Sequence, residues 1–263
     1  MSIVASVKVN DGIVLGADSA TTISAQVAPN IIQPVKTYQN AQKIYRVTDL
    51  KVAILTYGIG NIGQRSITSL IYEFNNSIVR EKFNSENSIE EIANSLLVFI
   101  KGKYDEAFSQ IEMPHRNQLQ LGMFVAGFSD SDIMASEWEF SLPSDTAVKK
   151  VREQSSIGLS WRGMIIPFHR IYKGFDPRLI DELIKKYNLN HDEVLNVINK
   201  YQTPVAFNGM PLLDAIEFLK FVLLTTINNF KFEVGFQLCS EPIDIVVITR
   251  KEFKEVILKE LNF

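Results

Sequence analysis

Residues 2–22 read SIVASVKVNDGIVLGADSATT, two apolar runs separated by an Asn-Asp-Gly turn sequence. Apolar, β-rich runs on either side of such a turn predict a β-hairpin. If the loop holds three residues, Val9 lies opposite Ile13. Ser2 and Asp18 then share a small polar face as diagonal neighbours, roughly 7–8 Å apart. A two-residue loop would move Asp18 to the opposite face, so this register is a definite prediction.

Ser2 combines two reactive groups if it becomes the first residue of the chain. An α-amine has a reference pKa of about 7.7–8.0, so part of it is unprotonated near neutral pH. The amine can then take the proton of the hydroxyl, and nucleophile and base occupy one residue. This chemistry requires the removal of Met1, which we expect before a small residue such as serine. The alternative is that Ser2 is an ordinary polar residue at the start of an edge strand.

The overall composition is that of a globular domain. The 263 residues are 46% hydrophobic and 22% charged, enough to bury a sizeable core, and the net charge of −3 offers no basic footprint for nucleic acid. Cys239 is the single cysteine, which excludes an internal disulfide and favours a reducing compartment. Lys8 interrupts any signal-peptide core, so we expect a cytoplasmic protein. No membrane association is expected either, because the most apolar helical stretch, 215–227, is too short to span a bilayer.

Periodicity and capping signals predict the remaining elements. They indicate strands at 43–47, 52–57, 118–127, 136–142, 156–161 and 243–249, helices within 58–83 and after Ser88, Asp176, Asn190 and Pro211, and an exposed loop over 23–40. Strands in runs beside helices predict an α+β fold, with antiparallel sheets covered by helical layers. No linker divides the chain, so we expect one domain over 1–263 with a helical elaboration at about 164–208.

Four blocks of sequence, in this order, carry a family resemblance. They are the opening hairpin with its A-D-S block, AQKIYRV at 41–47, TYGIG at 56–60 and EPIDIVVITR at 241–250. Together they resemble proteasome-type β subunits of the N-terminal nucleophile (Ntn) hydrolase superfamily, over most of the chain except roughly 164–208. The resemblance implies a four-layer αββα sandwich of two antiparallel sheets between helical layers. It also implies a peptidase or amidohydrolase that acts on peptides or unfolded protein and assembles as a homo-oligomer, in the form of a ring.

The resemblance also assigns roles to individual residues. It implies a catalytic set of Ser2 (nucleophile), Asp18, Lys43 and Gly58 (oxyanion amide), and substrate contacts at Ser19, Thr22 and Gly60. Lys43 beside Asp18 would lower the pKa of the Ser2 amine towards the working pH, because a nearby positive charge favours the neutral amine. Without the resemblance, Lys43 could be a solvated edge residue and Asp18 a turn residue.

Two departures from the family pattern favour a non-catalytic alternative. The family keeps a serine within a G-S-G turn, and here that serine is replaced by Leu159 or displaced to Ser160. Phe236 or Gln237 stands where a later aspartate would fall, although Ser240 can keep the role of a neighbouring serine. The alternative is therefore a catalytically inactive structural or interaction subunit with the same fold.

Cofactor and metal sites are not expected. Residues 58–63 match G-x-G-x-x-G, but no apolar strand ending in an acidic residue follows, which disfavours dinucleotide binding. The glycines instead suit a backbone that approaches substrate closely. The three histidines, His115, His169 and His191, lack the spacing of a zinc site. No G-x-S-x-G elbow indicates an ordinary serine hydrolase.

Overall fold

The computed structural model of the protein describes residues 2–28 and 31–257, with side chains described outside 24–34. The strands in this part of the chain are β1 (Ile3–Val9), β2 (Gly12–Ala17), β3 (Thr21–Ala28), β4 (Ile31–Tyr38), β5 (Ile44–Arg46), β6 (Val52–Gly58), β7 (Asn61–Ile62), β8 (Arg65–Ser66), β9 (Leu121–Gly127), β10 (Ser136–Leu142), β11 (Lys149–Lys150), β12 (Gly158–Gly163), β13 (Asp244–Ile248) and β14 (Phe253–Ile257). The helices are α1 (Ile67–Phe74), α2 (Arg80–Lys82), α3 (Ile89–Ala107), α4 (Met113–Arg116), α5 (Ile166–Lys173), α6 (Pro177–Tyr187), α7 (His191–Ile198) and α8 (Leu212–Phe232). A π-helical turn at Asn75–Val79 joins α1 to α2.

Two five-stranded sheets contain most of the strands. The first has the order β12-β1-β2-β13-β14 and the second the order β11-β10-β9-β6-β5, while β3-β4 and β7-β8 are separate hairpins. Every strand pair in the described ranges is antiparallel. The predicted α+β class with antiparallel sheets is therefore confirmed. The strands that flank residues 58–63 lie in antiparallel pairs, whereas the dinucleotide fingerprint needs a parallel βαβ unit.

Three clusters of buried side chains hold these elements together. One cluster joins the second sheet to α1 and α3. Another joins the first sheet to α5 and α8. The third contains side chains from both sheets, including Val4 and Leu15 from the first and Leu55 and Phe124 from the second. Each large sheet therefore has apolar contacts on both of its faces.

The register of the opening hairpin differs from the prediction by one residue. Val9 pairs with Gly12, so the loop has two residues, and Asp18 lies opposite Ile3, donating its amide to the Ile3 carbonyl at 3.1 Å. The predicted three-residue register was wrong because all seven residues of β1 are buried, and burial of both faces removes the alternation that fixes a register. Gly12 is required within β2, where an added Cβ would lie 2.6 Å from the carbonyl oxygen of Ile248.

The helix boundaries follow the capping signals closely. Ser88 caps α3 with the predicted capping box, since its hydroxyl accepts from the Glu91 amide and the Glu91 carboxylate accepts from the Ser88 amide. Asp176 and Asn190 cap α6 and α7 through their side chains. The segment at about 164–208 thus contains three helices, of which α5 packs into the cluster beneath α8. No helix among the described residues is long and apolar enough to cross a membrane.

Residues 23–40 were predicted to form an exposed loop. Residues 29 and 30 lie beyond the described ranges, and the rest of the segment consists largely of the paired strands β3 and β4. Thr21 pairs with Tyr38 and Thr22 with Thr37, and the ladder tolerates Pro34 beside a register shift. The loop prediction failed because scattered Pro, Asn and Gln outweighed the β-branched residues of this stretch. Pro is compatible with a two-stranded hairpin because both strands are edge strands.

Candidate active site

The carboxylate of Asp18 is the centre of a buried hydrogen-bond cluster. Oδ1 accepts hydrogen bonds from Nζ of Lys43 at 2.6 Å and from the Ile3 amide at 2.9 Å. Oδ2 accepts from the amides of Ala20 at 3.0 Å and Ser240 at 3.3 Å. Asp18 is fully buried, and these four donors offset the cost of removing its charge from water.

Backbone hydrogen bonds bring distant segments to this carboxylate. The Ser19 amide donates to the Ser240 carbonyl at 3.1 Å, and the Ala41 amide donates to the Ser19 carbonyl at 2.9 Å. On the other side, the Thr56 amide donates to the Lys43 carbonyl at 3.0 Å and extends the β5–β6 ladder by one pair. The end of β2, the segment before β5 and the segment before β13 therefore meet at Asp18.

Lys43 is a buried cation. Only 5% of the residue is exposed, and its ammonium forms an ion pair with Asp18. A solvated edge lysine would have a largely exposed ammonium, so the structure does not support that explanation of Lys43. The contact that the resemblance implied between Lys43 and Asp18 is present, and the catalytic roles of the two residues stay predictions.

Ser2 is buried and immediately precedes Ile3, whose amide donates to Asp18. The polar face predicted to be shared by the Ser2 and Asp18 side chains was wrong, because it required the three-residue loop. The Ser2 carbonyl accepts from the Met164 amide at 2.8 Å, and an added Cβ on Gly163 would lie 1.9 Å from the same oxygen. Gly163 has φ +85°, so a glycine allows β12 to approach the chain at Ser2. Strand alternation places the Ser2 side chain on the same face as Val4, which is the face towards the second sheet.

Gly58 ends β6 in a conformation that favours glycine. Its φ is +100°, and an added Cβ would lie 2.1 Å from the Gln120 carbonyl oxygen. The Ile59 amide donates to that oxygen at 2.9 Å, so Gly58 occupies a non-hydrogen-bonded position of the β6–β9 pair. Its N–H consequently points away from β9, towards the side of the sheet where β5 begins only at Ile44. The oxyanion role of this amide stays a prediction.

The three predicted substrate contacts lie in different environments. Thr22 is half-buried in β3, a strand that pairs only with β4 within the described ranges. Gly60 is exposed, and an added Cβ there would lie 3.2 Å from Oγ1 of Thr21. Ser19 is fully buried and its amide and carbonyl are both hydrogen-bonded within the fold, so the structure does not present it to a substrate.

The two serines considered as supports for the nucleophile differ sharply in position. Ser160 lies opposite Ser6 in the β1–β12 pair and accepts a hydrogen bond from Arg152, so it is not at the start of β1. Ser240 donates its amide to Asp18, while its buried hydroxyl has no hydrogen-bond partner among the described residues. Ser240 is therefore the serine that can serve the site. The displaced role proposed for Ser160 was wrong because that position belongs to another cluster.

Asp244 is a buried acidic residue that the sequence analysis missed. It begins β13, pairs with Ala17 and is 1% exposed. The signal was an isolated aspartate inside the apolar run IDIVVI, which is unusual for a buried strand without a polar function.

Cys239 adjoins the site without supplying a nucleophile. The residue is fully buried, and burial, with a smaller contribution from the Asp18 carboxylate, raises the pKa of its thiol well above the usual range. A thiol in this state is unreactive because the thiolate is the nucleophilic form. Within the described ranges, no group of three or more His, Cys, Asp and Glu residues could hold a metal ion.

Comparison with known proteins adds no family assignment. No protein-family model matches the chain, and no curated protein matches it.

Proposed function

We propose that the chain is a proteasome-type peptidase or amidohydrolase of the Ntn hydrolase superfamily, with Ser2 as nucleophile. In this proposal the two large sheets and their covering helices are the four layers of an αββα sandwich. The three core clusters support this arrangement, since each connects two successive layers.

The proposed reaction uses the hydroxyl and the α-amine of Ser2 and one backbone amide, that of Gly58. After Met1 is removed, the α-amine of Ser2 takes the hydroxyl proton while Oγ attacks the substrate carbonyl carbon. The Gly58 N–H stabilises the oxyanion of the tetrahedral intermediate. The protonated amine then gives its proton to the leaving nitrogen as the C–N bond breaks, leaving an ester on Ser2. Water, deprotonated by the same amine, cleaves that ester and restores the hydroxyl.

One observation carries the proposal: a buried ion pair is hydrogen-bonded to the residue that follows the proposed nucleophile. The Asp18 oxygen that binds Lys43 at 2.6 Å also accepts the amide of Ile3, the residue that follows Ser2. Burying two charges is expensive, and hydrophobic residues of similar size would often stabilise a fold equally well. A positive charge held at this point has a chemical use, because it keeps the nearby α-amine neutral and able to accept a proton.

The substrate we propose is an extended segment of peptide or unfolded protein. The edge of β3 that pairs with no other strand in the described ranges, together with the exposed residues Gly58 and Gly60, would accept it by strand addition. A homo-oligomeric ring and a cytoplasmic location are parts of the same proposal. Light scattering tests the assembly, and a strict monomer would argue against the proteasome-type assignment.

Substitution of Ser2 tests the proposed nucleophile. Ser2→Ala should reduce hydrolysis of a fluorogenic peptide by about a thousandfold or more, as removal of other nucleophiles does. Ser2→Thr is the matched control, since it keeps the hydroxyl and should keep activity. Labelling by an epoxyketone or β-lactone should occur on Ser2 and disappear in Ser2→Ala. Peptide hydrolysis by Ser2→Ala at the wild-type rate would reject the mechanism.

A catalytically inactive subunit of the same fold is the second candidate. Two observations favour it: Ser160 is bonded to Arg152 away from the site, and the segment with Phe236 and Gln237 has no aspartate. Intact-mass measurement separates the candidates. Retention of Met1, together with absence of labelling at Ser2, supports the inactive subunit.

A further inference from the structure

The helices α6 and α7 lie in the part of the chain that the family resemblance does not cover, and their apolar side chains are poorly buried. Both helices fall wholly within the described ranges, and there Ile180 is the single buried side chain of α6, while α7 has none. The side chains of Asp176 and Asn190 cap the two helices, so this exposure belongs to regular structure. A surface helix ordinarily buries its apolar stripe against the core. The apolar residues of α6 therefore need another explanation.

Three apolar residues of α6 form one row, called here the α6 stripe: Leu179, Leu183 and Tyr187. They follow one another at intervals of four residues and so lie on one side of the helix. Leu179 and Tyr187 are 52% and 58% exposed, and Leu183 is half-buried. Leu189 continues the exposed apolar surface just beyond the helix, where the chain turns at Asn188 with φ +51°. Single exposed apolar residues are ordinary, whereas a contiguous row of them is typical of an interaction site.

The charges beside the α6 stripe make it complementary to itself. Glu182 and Lys186 are both exposed and flank the stripe on one side, with the acid one turn before the base. If a second α6 lies antiparallel to the first, with Leu183 at the two-fold axis, Leu179 of each copy meets Tyr187 of the other. Glu182 of each copy then lies beside Lys186 of the other, twice in one contact. Self-complementarity of this kind is what a two-fold contact between identical chains requires.

The start of α6 is attached to the body of the protein. The Asp176 carboxylate accepts hydrogen bonds from Arg170 at 3.0 and 2.6 Å and from Arg178 at 3.0 and 2.7 Å. Arg170 belongs to α5, which is held in the core by the buried rings of Phe168 and Tyr172. The α6 stripe is thus presented in a fixed position, and a partner that binds it does not bear the entropy cost of ordering the helix.

We propose that two copies of this chain associate through an antiparallel α6–α6 contact, with Leu183 at the two-fold axis. The α6 stripe supplies the apolar area of the contact. The two pairs of Glu182 with Lys186 fix its orientation, because a parallel arrangement would leave these charges unpaired. Contacts that close a ring join two different surfaces head to tail, whereas this contact joins one surface to itself. The proposal therefore goes beyond the ring proposed above, and neither assembly requires the other.

Sedimentation velocity of charge-reversal variants tests this contact. The wild type should form a dimer or a larger assembly with an even number of copies, because a two-fold contact joins copies in pairs. Glu182→Lys places two lysines together at each of two points, and Lys186→Glu places two glutamates together. Each variant should raise the dissociation constant of the pair at least tenfold and halve the mass at concentrations where the wild type is assembled.

Restoring the opposite charges should restore the contact. An equimolar mixture of the two single variants should associate, since one chain then presents only lysines and the other only glutamates at these positions. The double variant, Glu182→Lys with Lys186→Glu, should also regain the wild-type mass. If neither the mixture nor the double variant associates, the proposed pairing is wrong.

Asp181→Lys and Lys185→Glu are the matched controls. They make the same charge changes one residue earlier, at exposed positions on the side of α6 opposite the stripe, and should keep the wild-type mass. Circular dichroism should verify that every variant folds. A monomeric wild type, an assembly with an odd number of copies, or equal losses in variants and controls overturns the proposal. A ring that keeps its mass in every variant overturns the α6 contact alone and leaves the hydrolase proposal standing.

Discussion

Replacing Asp18 by asparagine is the most informative perturbation of the buried cluster. The substitution keeps the shape of the side chain but leaves the Lys43 ammonium, 5% exposed, without its 2.6 Å counter-ion. It also turns an NH₂ group towards at least one of the amides of Ile3, Ala20 and Ser240. Removal of one partner of a buried pair costs about 3–5 kcal/mol. At roughly 2–4 °C per kcal/mol for a chain of this size, the melting temperature should fall by about 6–20 °C.

Urea denaturation followed by circular dichroism measures this loss. Asp130→Asn is the matched control, because Asp130 pairs with Lys51 at 3.1 Å with 52% of its side chain exposed. An exposed pair of this kind contributes about 0–1 kcal/mol. The double substitution Asp18→Asn with Lys43→Met should recover part of the lost stability, since it removes the buried positive charge together with the carboxylate that faces it. A loss below about 1 kcal/mol in Asp18→Asn would refute the reasoning, because it would mean that the pair is hydrated.

Two further perturbations follow from the same packing. Gly122→Ala would place a Cβ 2.0 Å from Cζ of Tyr57, so it should destabilise the fold by about 1–3 kcal/mol or more. Gly102→Ala, in the middle of α3 with nothing within 4 Å of the added Cβ, should stabilise the fold by about 0.5–1 kcal/mol. Chemical denaturation of both variants checks the contrast. Burial raises the pKa of Tyr45 to about 12, so the neutral phenol stabilises the fold below pH 10 and this contribution is lost between pH 10 and 12. Relative to Tyr45→Phe, the wild type should therefore lose about 2–3 kcal/mol of unfolding free energy over that interval, and parallel pH profiles for the two proteins would contradict the assignment.

Local signals in the sequence were sufficient for most helices and several strands. The Ser88 and Asp176 caps stand at the boundaries that they predict, because capping depends on side chains within one turn of the helix end. The second hairpin likewise follows from its own turn at Thr48, where the backbone has φ +38°. Short-range chemistry fixes such features regardless of what packs around them.

Features set by long-range packing were the ones that failed. The hairpin register depends on what covers each face of β1, and apolar neighbours on both sides left no polar face to mark it. β14 was missed because its exposed Lys254 and Glu255 resemble a surface loop, although it pairs with β13. Ser160 lies opposite Ser6 because β12 pairs with β1, and these two strands are far apart in sequence.

The candidate site was predictable only in part for the same reason. The family resemblance indicated Ser2, Asp18 and Lys43, yet the contacts of Asp18 with Lys43 and with the residue after Ser2 require separate segments to meet. Ser19 differs from the expectation because the backbone of that segment is used inside the fold.

The Ser240 amide that binds Asp18 comes from a residue 222 positions later in the chain. During synthesis, therefore, the set of amides around the Asp18 carboxylate cannot be completed until residue 240 has left the ribosome. A chain stalled or truncated before that point would carry the opening serine without the completed surroundings. Under the proposed hydrolase function, late closure of this kind would keep an emerging polypeptide from cleaving its neighbours before it has folded.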